Sequence, residues 1–164
     1  MRKFMIGVIF ALVLPGCNGG GHHEERKQLT PEESEAVKSE IKALMAVVIE
    51  GLETNDPDKL FRDFWRSDSA SFYLNGMAMQ GYDEIIGGFS QGMESRQNTK
   101  MTLSSEEIVV LDRDAAMHLA EFTNSMVLTN DSTMTVKGYW SAVFKKINEQ
   151  WKVVHVHESF NPAP

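Results

Sequence analysis

The sequence predicts an α+β fold, with helices gathered in the first half and laid on one face of an antiparallel sheet formed by the second half. Three observations predict it. Apolar residues recur at helical spacing behind a capped start at Thr30, an Asn-Gly pair stands at positions 75–76, and three long strand-like segments separated by polar turns close the chain. With 164 residues, 42% of them hydrophobic, the chain amounts to one domain and can close one core.

The first element is a secretion signal. Arg2 and Lys3 make a basic start, and residues 4–14 form an apolar run broken only by Gly7. That run is too short for a membrane-spanning helix, which takes roughly 20 residues. It ends in Leu14-Pro15-Gly16-Cys17, which resembles the lipobox of bacterial lipoproteins, although Pro15 stands where Ala or Ser is commoner. The resemblance implies a signal peptide over residues 1–16, lipid attachment at Cys17, a flexible tether through residue 28 and a folded domain over 29–164. It also implies a membrane partner through the lipid and a place in the bacterial cell envelope. Asn18, rather than Asp, follows the cysteine, which leans towards the outer membrane facing the periplasm. Cys17 is the single cysteine, so no intramolecular disulfide competes for it. The tether carries three glycines and the pair His22-His23, with nothing beside them to complete a metal site.

Three helices follow. Thr30-Pro31-Glu32-Glu33 is a helix start, with Thr30 as N-cap, Pro31 at N1 and Glu33 closing a capping box. Val37, Ile41, Leu44, Val48 and Leu52 form its apolar stripe, and it ends near Asn55. Asp56-Pro57 repeats the start signal, and Leu60, Phe61, Phe64 and Trp65 are expected on one face of a short second helix. Asn75-Gly76 then joins two short strands, since both turn positions favour positive φ. Gly81 leads into the third helix, with Ile85, Ile86, Phe89 and Met93 inward. Gly87-Gly88 within it suggests close packing.

The rest reads as sheet. Met101 and Leu103 share one parity and Ile108 and Val110 the other, which predicts a β-bulge around residues 104–106. Turns at Asp112-Arg113-Asp114 and Asn130-Asp131 separate strands over 115–129, 133–146 and 151–160. Trp65, Tyr139, Trp140 and the methionines are expected to fill the core.

Charge excludes one class of partner. The net charge is −7, and without Arg2 and Lys3 the balance is 14 basic against 23 acidic residues, or −9. Nucleic acid is therefore not expected, because phosphate neutralisation needs clustered Lys and Arg. No Gly-rich phosphate loop, zinc-finger spacing or nucleophile elbow is present.

Three segments carry a family resemblance: Asn55-Asp56-Pro57-Asp58-Lys59-Leu60, Gly81-Tyr82-Asp83-Glu84-Ile85, and the closing stretch from Trp151 to Ser159 with its His157-Glu158-Ser159 end. With the element order, they resemble the nuclear-transport-factor-2-like superfamily, in its SnoaL-like and ketosteroid-isomerase-like branch. That resemblance covers roughly residues 30–160. It implies a cone-shaped half-barrel, three N-terminal helices packed on a curved antiparallel sheet, a pocket between them, and commonly a homodimer. It does not choose an activity, since the superfamily holds isomerases, cyclases, dehydratases and non-enzymes.

The candidate site residues follow from strand parity. On the last strand Trp151, Val153, His155, His157 and Ser159 are expected on one face, with Lys152, Val154, Val156 and Glu158 on the other. His155 and His157 suit proton transfer near neutral pH, with Glu121 and Asp68 as acidic candidates and Tyr73 as a hydroxyl donor. Tyr73, His118, Trp140, His155 and His157 are the candidate ligand contacts. Were His118 to meet the C-terminal pair, three imidazoles could hold a divalent metal, but the pattern commits to no metal and no cofactor. The expected function is a membrane-anchored module that binds a small apolar or amphipathic molecule in its cone. The alternatives are proton-transfer chemistry of isomerase, dehydratase or cyclase type, and a homodimeric interaction module.

Overall fold

A computed structural model of the chain describes residues 28–161. The signal, Cys17 and the His22-His23 pair lie outside the described residues.

The element order is α1 (Pro31–Glu53), α2 (Pro57–Leu60), β1 (Ser71–Leu74), β2 (Met77–Gln80), α3 (Tyr82–Glu94), β3 (Arg96–Asp112), β4 (Ala115–Leu128), β5 (Thr133–Ile147) and β6 (Gln150–Phe160). The strands form one six-stranded sheet in the order β2-β1-β6-β5-β4-β3. The pairing is antiparallel except between β1 and β6, which run parallel. Helices pack on one face of this curved, unclosed sheet, giving the expected α+β half-barrel.

Local signals shape the helices as expected. The backbone N–H of Glu33 donates to Thr30 Oγ1 at 3.2 Å, and that of Thr30 donates to Glu33 Oε2 at 2.8 Å, a complete capping box. Val37, Ile41 and Leu44 are buried, while Val48 and Leu52 further along the same stripe are half-buried. Gly51 lets α2 approach, since a Cβ there would stand 2.4 Å from the Leu60 backbone nitrogen. Asn75 and Gly76 take φ of 46° and 90° in the β1–β2 turn. The β3 bulge appears as a register shift between Leu103 and Ser105.

Four expectations are corrected. The second helix stops at Leu60, and Phe64 instead makes a parallel bridge to Val153. Two backbone hydrogen bonds draw the chain off helical geometry there: Trp65 N–H donates to the Val153 carbonyl at 2.9 Å, and Val153 N–H to that of Asp63 at 2.8 Å. Tyr139 is not a core residue but 51% exposed, on the outer sheet face. Of the two helix glycines only Gly88 has a close neighbour, Met79 Sδ at 2.9 Å from a built Cβ, while Gly87 is open.

The fourth correction concerns β6. Phe144 pairs with Val153 but the preceding Val143 pairs with His155, so Val154 has no residue opposite it. This bulge reverses the parity of the strand midway. Trp151 and Val153 face the helices, and beyond the bulge so do Val156, Glu158 and Phe160, while His155, His157 and Ser159 face outward.

Candidate functional site

The inner face of β5 presents Val136, Trp140 and Ala142, and their register partners extend the same face across β4 and β6. The second half of α1, the segment after α2, and α3 stand over it. Between them lies a cavity of about 210 Å³. Met45, Val48, Ile49 and Leu52 of α1 form one wall, and Phe61, Phe64, Phe72 and Phe89 another. Phe61 packs edge-on to Phe64 and Phe89, with centroids 5.2 and 5.4 Å apart. Met101, Met126 and Met134 line the sheet side, and their flexible thioethers suit an adaptable wall.

Three lining residues besides Trp140 have polar side chains: Arg96, Asn124 and Glu158. Glu158 stands on β6 opposite Trp140 and Leu74. The residue as a whole is half-buried, but its carboxyl is withdrawn from solvent, and burial pushes its pKa up to about 7 against a smaller pull from Arg96. Arg96 opens β3, with its guanidinium beside Gly92, and burial disfavours its charge. The two influence each other's ionisation without closing into an ion pair among the described residues. Asn124 is 8% exposed, and its Oδ1 is buried with no hydrogen-bond partner among the described residues. An unmet buried acceptor costs about 1–3 kcal/mol; Thr99 Oγ1 is unmet in the same way, but of the two only Asn124 lines the cavity.

A second polar group sits deeper on the same sheet face. His118 is fully buried. The indole Nε1–H of Trp140 donates to His118 Nδ1 at 2.8 Å, and His118 Nε2 lies 3.0 Å from Glu106 Oε1. Indole N–H can only donate, so Nδ1 must accept and the ring proton sits on Nε2, donated to the carboxylate. Lys42 of α1 reaches the other Glu106 oxygen at 3.5 Å. Burial holds the His118 pKa below the ordinary value against the raising effect of Glu106, and the His118 hydrogen bond, more than Lys42, lowers that of Glu106. His118 is thus a neutral positioning group behind Trp140, and of the two only Trp140 lines the cavity.

The remaining candidates lie elsewhere. Tyr73, Glu121, His155 and His157 are on the outer face of the sheet, as their register partners Ala78, Tyr139, Val143 and Ser141 also are. Tyr73 and His155 meet edge-on at 5.3 Å, and Ser71 Oγ lies 2.8 Å from His155 Nδ1. Burial, and then His157, lowers the His155 pKa. Glu121 is half-buried, and its backbone N–H donates to Ser105 Oγ at 3.3 Å. Asp68 is exposed near the β2–α3 junction, where its carbonyl accepts from Gln80 Nε2 at 2.9 Å. His118 therefore does not meet His155 and His157, and no group of three or more metal-ligating side chains occurs among the described residues. Among those residues, too, no helix is long and apolar enough to cross a membrane.

Arg96, Asn124 and Glu158 did not emerge from the sequence as site residues. Asn124 left a signal: it falls on the parity of Ala116, Ala120, Phe122 and Met126, where an amide is out of place. Strand alternation sets Glu158 opposite the histidines, but the sequence alone does not identify its face as the inner one.

Comparison with known proteins agrees with this geometry. A nuclear transport factor 2-like superfamily protein from Salmonella enterica serovar Typhimurium is 25% identical, covers 79% of this chain and 94% of its own, and superposes with a TM-score of 0.73. A protein from Novosphingobium aromaticivorans described as a putative scytalone dehydratase is 15% identical, with coverage of 81% and 89% and a TM-score of 0.73. A hexachlorocyclohexane dehydrochlorinase, LinA type 2, is 12% identical, with coverage of 81% and 90% and a TM-score of 0.69. No curated protein matches the chain in sequence. The model of the SnoaL-like domain matches residues 41–164, from the first buried turns of α1 to the end of the sheet, and the chain belongs to that family.

Proposed function

We propose that this protein is a lipid-anchored module of the bacterial envelope that binds a small apolar or amphipathic molecule in its cone. The cavity carries this reading: about 210 Å³, walled by aliphatic, aromatic and thioether side chains, with a buried amide oxygen that has no partner among the described residues. An apolar cavity of about 150 Å³ holds benzene, so this one suits a ligand body of roughly eight to ten non-hydrogen atoms. Native mass spectrometry of the domain from Gln28 onward tests it. A defined extra mass, lost when Ala142→Trp fills the cavity, is the expected result. Protein that stays bare after incubation with a panel of small apolar molecules would refute it. The anchor is tested separately, because Cys17→Ala should move the protein from the membrane fraction to the soluble one. A homodimer through the outer sheet face is part of the same proposal, and sedimentation of the same domain checks it.

A second reading is favoured by Glu158. A carboxyl held near pH 7 in an apolar cavity can give or take a proton at neutral pH. Two structural neighbours carry names ending in dehydratase and dehydrochlorinase, which suits isomerase- or dehydratase-type proton transfer here. A pH–rate profile with an apparent pKa near 7 that vanishes in Glu158→Gln is expected if the site is catalytic.

A further inference from the structure

We propose that Arg96, Asn124 and Glu158 form an anion subsite in the cavity, which takes the head group of a small amphipathic monocarboxylic acid while Glu158 takes up one proton. The inference rests on the reading of the cavity as a ligand site and adds the class of ligand.

The argument starts from charge. Among the described residues the cavity lining is apolar apart from Arg96, Asn124, Glu158 and the indole N–H of Trp140, which is already spent on His118. Arg96 and Glu158 are its only charged residues among those described; α1 and α3 contribute Met45, Val48, Ile49, Leu52 and Phe89 to the lining. The histidines on the same strand as Glu158, His155 and His157, point to the opposite face of the sheet. A guanidinium is always charged and presents several donors in one plane, which matches a carboxylate. Here it is half-buried, has no ion-pair partner among the described residues, and burial disfavours its charge against the opposing pull of Glu158. Asn124 adds an amide whose oxygen is unmet and whose NH2 donates to an acceptor.

Glu158 decides when the anion enters. Ionised, it neutralises the field of Arg96 and repels a carboxylate. Protonated, it leaves Arg96 free and donates its own O–H to the ligand. Its pKa of about 7 places that change in the physiological range. The proton comes from solvent and stays on the carboxyl pair formed by Glu158 and the ligand. Apart from that O–H bond, no covalent bond forms or breaks.

Calorimetry on the domain from Gln28 onward, with octanoate and octan-1-ol as paired probes, tests the inference. Both offer the same apolar body, and only octanoate offers an anion, ionised at every pH used. The expected result is octanoate binding about tenfold more tightly at pH 6 than at pH 8, following the protonated fraction of Glu158, with octan-1-ol indifferent to pH. Runs in buffers of different ionisation enthalpy should show close to one proton taken up per octanoate at pH 8 and close to none at pH 6. Glu158→Gln should remove the pH dependence and keep the affinity high. Arg96→Gln should lose at least tenfold for octanoate and nothing for octan-1-ol, and Arg96→Lys, which keeps the charge, should retain part of the preference. Octan-1-ol binding as tightly as octanoate, or octanoate binding unchanged between pH 6 and 8, would overturn the inference while leaving the ligand cavity standing. Failure of both probes to bind would count against the cavity reading as well.

Discussion

The inner face of the sheet carries two polar islands of opposite design. Glu106, His118 and Trp140 form a closed one: both ring nitrogens of His118 are engaged, the indole N–H is engaged, and Lys42 balances the carboxylate. Arg96, Asn124 and Glu158 form an open one: among the described residues an amide oxygen without a partner and a guanidinium without an ion pair, with a carboxyl held far from its ordinary ionisation. Both lie on one sheet, and Trp140 belongs to the first while lining the cavity of the second. A satisfied buried network fixes the architecture, and an unsatisfied one beside a cavity costs stability that a bound ligand or water would restore.

The largest effect should come from breaking the closed island. His118→Ala opens a cavity and strands both the Glu106 carboxylate and the Trp140 N–H, so urea unfolding should show a loss of roughly 3–5 kcal/mol. The open island should respond in the other direction. Glu158 binds its proton more tightly folded than unfolded, so the stability this gives is complete below the ordinary carboxyl range and is lost as pH rises towards 7. At pH 8, Glu158→Gln should therefore be more stable than the parent by up to roughly 3 kcal/mol, and the two should converge near pH 4.5. His118 gives the opposite slope. Its folded pKa is depressed, so its contribution is present above the ordinary imidazole value and lost as pH falls below it. A melting profile of Glu158→Gln should accordingly keep the acid limb and lose the alkaline one.

Two milder substitutions sharpen the contrast. Trp140→Phe keeps the ring packing but leaves His118 Nδ1 without its donor, and should cost about 1–2 kcal/mol in chemical denaturation. Asn124→Leu removes the orphan amide at similar volume and should change stability by no more than about 1 kcal/mol, in the favourable direction. A large destabilisation from Asn124→Leu would mean that the amide is structural, and the contrast between the islands would fail.

Local features of the fold were legible in the sequence because local chemistry determines them. The capping box at Thr30 and Glu33, the Asn75-Gly76 turn and the bulge after Leu103 each need only a few neighbouring residues. The extent of α2 was not legible, because the chain around Phe64 answers to Val153, distant in sequence. The same docking accompanies the bulge at Val154, so strand alternation misjudged how β6 divides between the two faces. Of the sequence candidates, Trp140 lines the cavity and His118 lies behind it, while Arg96 gives no pattern at all, since a lone arginine at a strand start looks like any surface cation.

The bulge at Val154 also acts as a reading-frame device for the pocket's chemistry. Downstream of it, one set of side chains (Val156, Glu158, Phe160) is displayed inward and the alternate set (His155, His157, Ser159) outward. A regular strand of the same residues would instead carry the alternation of Trp151 and Val153 on to His155, His157 and Ser159, and give the cavity two imidazoles and a hydroxyl in place of an acid. One extra residue, rather than the residue types around it, thus settles whether the interior bears an acid or histidines, and loss of Val154 alone would leave Glu158 inward.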